Sequence, residues 1–173
     1  MDYETVTNTS LHAVRFAASE LIIGWKKENC MNIWLKLIGS SEKPLTDPPH
    51  NGMWTKDYVG FRKTRKPGIR NGDHLFLYAP GGSRSVFALA KAVSDPLHDT
   101  NYNPREDGSC RWKIRVKYLV NLPVASGITI DEITTPKRNL APSVRQQSHI
   151  KLFPEESKKA YGKLKDKETS KDR

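Results

Sequence analysis

GDHLFLYAPGGSRSVFALAKAVSDP, residues 72–96, reads as two β-strands around a glycine-rich turn. Asn71-Gly72-Asp73 is a turn signal, because these residues tolerate the backbone conformations that tight turns demand. HLFLYA then alternates, with Leu75, Leu77 and Ala79 on one face and His74, Phe76 and Tyr78 on the other. PGGSRS is a hairpin loop, and VFALAKAV returns as the partner strand.

Downstream, RWKIRVKYL (111–119) sets Trp112, Ile114, Val116 and Tyr118 against Arg111, Lys113, Arg115 and Lys117. Period two means one buried face and one cationic ridge. Between the two regions, DPLHDTNYNPREDGS (95–109) is a long polar excursion. A helical turn is expected around Ile130 to Ile133, and SHIKLF (148–153) is a last short strand. Pro154-Glu155-Glu156 opens a C-terminal helix, with proline and acids where a first turn favours them.

Upstream, NIWLKLI (32–38) is a short strand carrying Trp34. Residues 42–53 hold Pro44, Pro48, Pro49 and Asn51-Gly52, and must be a loop before Trp54 returns to the fold. FRKTRKPGIR (61–70) is the densest basic stretch, and Pro67-Gly68 makes it a loop that displays its charges. Near the start, Leu11, Val14, Ala18, Leu21, Ile22 and Trp25 form one helical stripe. The expected organisation is an N-terminal helical extension at 1–31, a domain at 32–164, and a basic disordered tail at 165–173. Strands in the middle with helices at the ends predict an α+β fold, a small curved sheet or barrel under helical covers.

Composition narrows the function. The chain has 173 residues with 29 Lys plus Arg against 19 Asp plus Glu, a net charge of +10. Hydrophobic residues make up 36%, which implies a modest core. Such charge favours contact with polyanions. No apolar run approaches a membrane span, and MDYETVTNTS does not read as a signal peptide. The expectation is a cytoplasmic protein with no membrane partner. Cys30 and Cys110 form no CxxC pair, and the five histidines have no HxH or HxxxH spacing. Neither a metal nor another cofactor is expected. Catalytic signatures are missing too: no GxSxG, no P-loop, and only isolated acids such as Asp73, Asp95 and Asp131-Glu132. Cys110 beside Arg111 is the one thiol with a neighbour that would lower its pKa. The expectation is a protein that is not an enzyme.

The ordered series IWLKLIG, GMW, FRKTRKPGIR, GDHLFLYAP, FALAKAVSDP, RWKIRVKYL, ITIDEI and QQSHIKLFPEE resembles an EVE domain of the PUA-like superfamily, over residues 32–164. The link KPLTDPPHN (43–51) is longer than EVE domains often have at that point. The resemblance implies a strongly curved mixed β-sheet or barrel flanked by helices. EVE domains are similar to YTH and SRA-type modules, which take a modified base into an aromatic pocket. They occur alone or fused to restriction nucleases.

On that resemblance, the expected function is non-catalytic recognition of a modified base in DNA or RNA by flipping. The base would be methylated or hydroxymethylated cytosine, or N6-methyladenine. Trp34 and Trp54 would stack the base. Leu35, Lys36, Tyr78, Ala79, Ser148 and His149 would complete the pocket. Arg62, Lys63, Arg65, Lys66, Arg70, Arg84 and Arg145 would hold the nucleic-acid backbone. A nuclease is a possible partner, and the chain would be a monomer or weak homodimer. The alternatives are a small hydrolase on a related ASCH-like scaffold acting on a modified nucleoside, with Lys36 or Lys56 beside an acid, and an adaptor for a restriction nuclease.

Overall fold

β-Strands form wherever the period-two pattern predicts them, and at three places where it is too short to be read. The computed structural model describes residues 31–45, 57–106 and 109–171. The expected N-terminal helix, Trp25, Cys30, Trp54 and Lys56 lie outside these residues. The strands are β1 (Ile33–Leu37), β2 (Tyr58–Phe61), β3 (His74–Ala79), β4 (Ser85–Ala92), β5 (Leu97–His98), β6 (Trp112–Asn121), β7 (Ile128–Thr129) and β8 (His149–Lys151). Three helices accompany them: α1 (Ile130–Ile133), α2 (Leu140–Gln146) and α3 (Pro154–Lys171). From Asn32 onward the chain forms one compact unit.

The strands make one mixed sheet in the order β2-β6-β4-β3-β1-β8, with β5 added to β6 and β7 to β4. Only β1 and β3 run parallel; the other pairs are antiparallel. Two bulges bend the sheet, one between Leu77 and Tyr78 on the β3–β4 ladder and one between Leu89 and Ala90 on the β4–β6 ladder. Each extra residue breaks the ladder locally and increases twist. β4 contributes Ala88, Ala90 and Ala92 to the core beside Phe87, and the three small side chains let the sheet close tightly. The curvature is strong enough that the end strands of the path meet. Phe61 of β2 lies edge-on to His149 of β8, with ring centroids 5.5 Å apart.

The concave core holds Ile38, Val59, Phe61, Ile69, Leu75, Leu77, Ile114 and Val116, with Trp34, Trp112 and Tyr118 packed against it. Leu35, Phe76, Leu89 and Ile150 are buried on the convex side, where the helices contribute Ile133, Leu140, Ala160 and Leu164. A buried ion pair secures α3. Arg138 Nε donates to Glu156 Oε1 at 2.9 Å, its Nη2 pairs with Oε2, and Glu156 also accepts from Phe153 N at 2.8 Å. The last contact satisfies a donor at the start of α3, as an N-terminal cap does.

The expected tail from residue 165 is helix instead, and α3 continues to Lys171. The run lacks an apolar stripe, but its charges find partners. Lys165 pairs with Glu168 at 2.6 Å, and Lys167 Nζ donates to Gly127 O at 2.8 Å.

One carboxylate joins the first elements of the sheet. Asp73, 3% exposed, accepts from Asn32 N (2.9 Å), Trp34 Nε1 (2.8 Å) and Arg70 N (3.0 Å). Replacing it with alanine strands three donors, and hydrogen bonds to a charged group are worth about 1.5–3 kcal/mol each. Asp73→Ala is expected to lose at least about 3 kcal/mol in urea unfolding followed by tryptophan fluorescence. Asp73→Asn should lose less, since one oxygen still accepts.

Candidate functional site

Strand alternation places Trp34 and Lys36 on the concave face of β1, and the antiparallel register sets His149 opposite Lys36. Closure of the sheet then brings in Phe61 from the far end of the strand order. Trp34 and His149 have ring centroids 5.5 Å apart at 55°, and Lys36 Nζ sits 4.5 Å from the Phe61 ring centroid. Trp34 and His149 are half-buried, whereas Lys36 is 2% exposed. These four side chains form the candidate site at the seam where the sheet nearly closes.

Each member is held from outside the cluster. The Trp34 indole is fixed by Asp73, and a Cβ built on Gly68 would lie 3.8 Å from Trp34 Cη2, so the basic loop passes the edge of the ring. Lys36 Nζ donates to Leu37 O at 2.6 Å. His149 Nδ1 and Ser148 Oγ are 3.1 Å apart, and Ser148 O accepts from Leu37 N at 3.0 Å.

Among the described residues no carboxylate acts on Lys36 or His149. Burial lowers the Lys36 pKa to about 8; Cys110 acts to raise it and Lys63 to lower it further. His149 falls to about 4, through burial first and then the Lys36 and Lys63 charges. At neutral pH the imidazole is therefore neutral. Burial pushes the Cys110 thiol up despite Lys36, Lys113 and Arg62, the opposite direction to the one an adjacent Arg111 would give.

The other expected pocket residues lie elsewhere. Leu35 pairs with Ile150 and Phe76 and faces the convex side. Tyr78 shares that side, because its partner in the β1–β3 register is Leu37. Burial raises the Tyr78 pKa, and the charges acting on it are Arg84 and Asp131. Ala79 is in the concave core but at the far end of β3 from the Trp34 register. Trp54 is outside the described residues.

The basic residues divide in the same way. Lys63 is exposed and near enough to shift both Lys36 and His149. Lys66 Nζ lies 6.0 Å from the Trp112 ring centroid. Trp112, expected in the core, is half-buried, and its Nε1 donates to Thr64 O at 3.2 Å. Arg62 braces the 99–110 excursion, donating to Ser109 O (3.1 Å) and Glu106 O (2.7 Å). Arg65 and Arg70 are exposed on the loop, and Arg145 is exposed in the last turn of α2, three residues before Ser148. Arg84 lies past the other end of β3, about 17–20 Å of strand away from Arg70.

A second recess of about 380 Å³ opens on the convex side, lined by Asp57, Tyr58, Leu97, His98, Asp99, Lys113 and Arg115. Two aspartates border it, and Asp99 neutralises Lys113 at 2.7 Å. Among the described residues no group of His, Cys, Asp or Glu is placed to hold a metal ion, and no helix is long and apolar enough to cross a membrane.

Sequence reasoning passed over Phe61, quoted only as the first letter of a basic stretch. It treated Asp73 as an isolated acid. No pattern in FRKTRKPGIR signals that its first residue meets a strand 88 positions later.

Solved structures similar to this chain include two bacterial proteins. Protein Atu2648 from Agrobacterium tumefaciens is 15% identical, covering 77% of this chain and 94% of its own, with a TM-score of 0.49. Rpa0253 from Rhodopseudomonas palustris is 12% identical, covering 81% and 94%, also with a TM-score of 0.49. No protein-family model and no curated protein matches.

The His149 shift has a signed consequence. Its pKa is lower folded than the ordinary 6.5, so on acidification the unfolded chain takes up the proton first. The stability from neutral His149 is complete above pH 6.5 and is lost as pH falls towards about 4. The urea midpoint should drop across that window, and His149→Gln should flatten the drop. An NMR titration should find this imidazole neutral until the pH approaches 4.

Proposed function

We propose that this protein is a non-catalytic nucleic-acid-binding module of EVE and PUA-like type that takes a modified base at the Trp34–Lys36–His149–Phe61 seam. The observation that carries the reading is this cluster: one half-exposed indole with its ring fixed, beside an ammonium and a neutral imidazole. The ordered resemblance of residues 32–164 to EVE domains supports the same reading.

The energetics favour such a composition. Extruding a base from a duplex costs a few kcal/mol. Burying an added methyl returns only about 0.8 kcal/mol, roughly fourfold in affinity. A useful reader therefore needs stacking plus polar groups that the wrong base would leave unpaired. Trp34 supplies a stacking surface, a contact worth about 1–3 kcal/mol per base. Lys36 supplies donors and His149 a neutral ring nitrogen for the base edge. A base already unpaired relieves the extrusion cost, so single strands and RNA fit as well as duplex DNA.

Lys63, Arg65 and Lys66 on the loop beside Trp34 are the phosphate contacts in this reading, with Arg70 at the end of the loop and Arg145 ahead of β8. Arg62 serves chiefly by bracing the loop, and Arg84 is too distant to join the same contact. A restriction nuclease is the partner that the family resemblance suggests, in a cytoplasmic monomer or weak dimer.

One observation favours a second reading, hydrolysis of a modified nucleoside. The Lys36 amine, lowered to about 8, is present as the free base in a larger fraction near neutral pH than an ordinary lysine. Release of product from acylated or alkylated nucleosides would favour that reading over binding alone.

The test of the binding reading is fluorescence anisotropy at a stated salt concentration, using one sequence as single-stranded DNA, duplex DNA and RNA, plain or modified. Trp34→Ala should weaken the preferred probe by about 5–150-fold, the range of one lost stacking contact. Lys63→Ala with Lys66→Ala should weaken all probes alike and flatten the salt dependence. Unchanged affinity in Trp34→Ala, with its fold intact by circular dichroism, would remove the seam from the binding site.

A further inference from the structure

Lys36 is buried to 2% exposure in the concave core, and among the described residues its ammonium donates to a backbone carbonyl, Leu37 O. The ammonium can donate three hydrogen bonds. Its other close neighbour is the Phe61 ring, which attracts a cation but accepts no full charge. The charged or titratable groups that act on it are Cys110, whose thiol burial keeps protonated, and Lys63, a second cation. Lys36 and Lys63 are in turn the charges that act on His149. Among the described residues no carboxylate acts on either Lys36 or His149.

That arrangement is costly for a folded protein. A buried ammonium without a carboxylate loses its hydration and recovers little. A methionine or leucine at the same point of β1 would pack against Phe61 and Leu77 with no such cost. Elsewhere the fold does pair its buried charge, as Glu156 with Arg138 shows. No negative group of the described residues answers this cation, and one that arrives with the ligand accounts for its presence here. Stability given up at a binding site is a common cost of function.

We infer that the seam selects a base whose edge carries an anionic or strongly accepting substituent, a carboxylated pyrimidine in particular, which pairs with Lys36 while Trp34 stacks on the ring. The inference rests on the binding reading above and narrows its ligand class. A charge-assisted hydrogen bond in a site of low dielectric discriminates more than a methyl contact can. Neutral His149 fits the same ligand, because it adds a donor or acceptor without bringing an acid that would repel the substituent.

The experiment uses the full chain and three single-stranded DNA probes identical except for one central base: cytosine, 5-methylcytosine or 5-carboxylcytosine. Affinities are read by anisotropy for the wild type, Lys36→Met and Trp34→Ala. Thermal unfolding is followed for the wild type and Lys36→Met, with and without the free carboxylated nucleoside. The wild type should prefer the carboxylated probe over the methylated one by about tenfold or more. Lys36→Met should abolish that preference, and should raise Tm because it removes a buried charge that no carboxylate of the described residues offsets. The nucleoside should raise the Tm of the wild type but not of Lys36→Met.

Equal or tighter binding of the methylated probe overturns the inference. So does a carboxyl preference that survives in Lys36→Met. A fall in Tm for Lys36→Met with no loss of preference would make the lysine structural, and would also overturn it. The two levels of the argument fail differently. If the nucleoside stabilises only the wild type while no DNA probe depends on Trp34, nucleic-acid reading is wrong and the ligand class stands. If modified probes are bound through Trp34 with no advantage for the carboxylate, the binding reading stands and this inference falls.

Discussion

The Asp73 carboxylate is the contact on which the site's geometry depends. It lies one residue before β3 and accepts from the residue before β1, from the Trp34 indole and from the end of the basic loop. Asp73 O also accepts from Ala92 N at 2.8 Å, and Gly72 N donates to Ala92 O at 2.9 Å, which ties the end of β4 to the same point. The parallel β1–β3 pair has no short hairpin to set its register. A buried acceptor shared by both strands does that work. The same bonds orient the one indole of the described residues that faces the seam.

Curvature does the rest. Two bulges and a row of inward alanines on β4 allow a sheet of few strands to bend until β2 and β8 touch through side chains. Backbone hydrogen bonds do not close this gap, so the seam is lined with side chains rather than ladder. Rings and an ammonium occupy it, and the basic loop that leaves β2 runs along its edge. The helices meanwhile cover the convex side, which is why residues of opposite parity on β1 and β3, Leu35 and Tyr78 among them, serve packing.

The charge distribution follows from these positions. The surface cations are distributed: some brace loops, as Arg62 does, and others pair with acids, as Lys113 does with Asp99. The net charge of +10 is therefore not one patch. The unusual group is interior. Lys36 is the buried cation of the described core that pairs with no acid, and His149 is kept neutral by its own burial first and then by the fields of Lys36 and Lys63.

The sequence by itself marked β3 and β6 through their alternation, β4 as the partner across a glycine-rich turn, and β1 and β8 as short apolar strands, because these signals depend only on neighbouring residues. It also determined the first turn of α3, where proline and two acids suit exposed helix donors, and the loop character of Pro67-Gly68. The short strands β2, β5 and β7 stayed illegible, since they lie in polar or turn-rich stretches without an apolar run and exist only through their partners on β6 and β4. The helix beyond Leu164 was hidden as well, because Lys167 and Lys165 are held by tertiary and local partners rather than by an apolar stripe. For the site, the sequence marked Trp34, Lys36 and His149 through their segments. Only the tertiary structure decided that Phe61 joins them and that Tyr78 does not. Register fixes which face a residue takes, and the bend of the whole sheet fixes which distant faces meet.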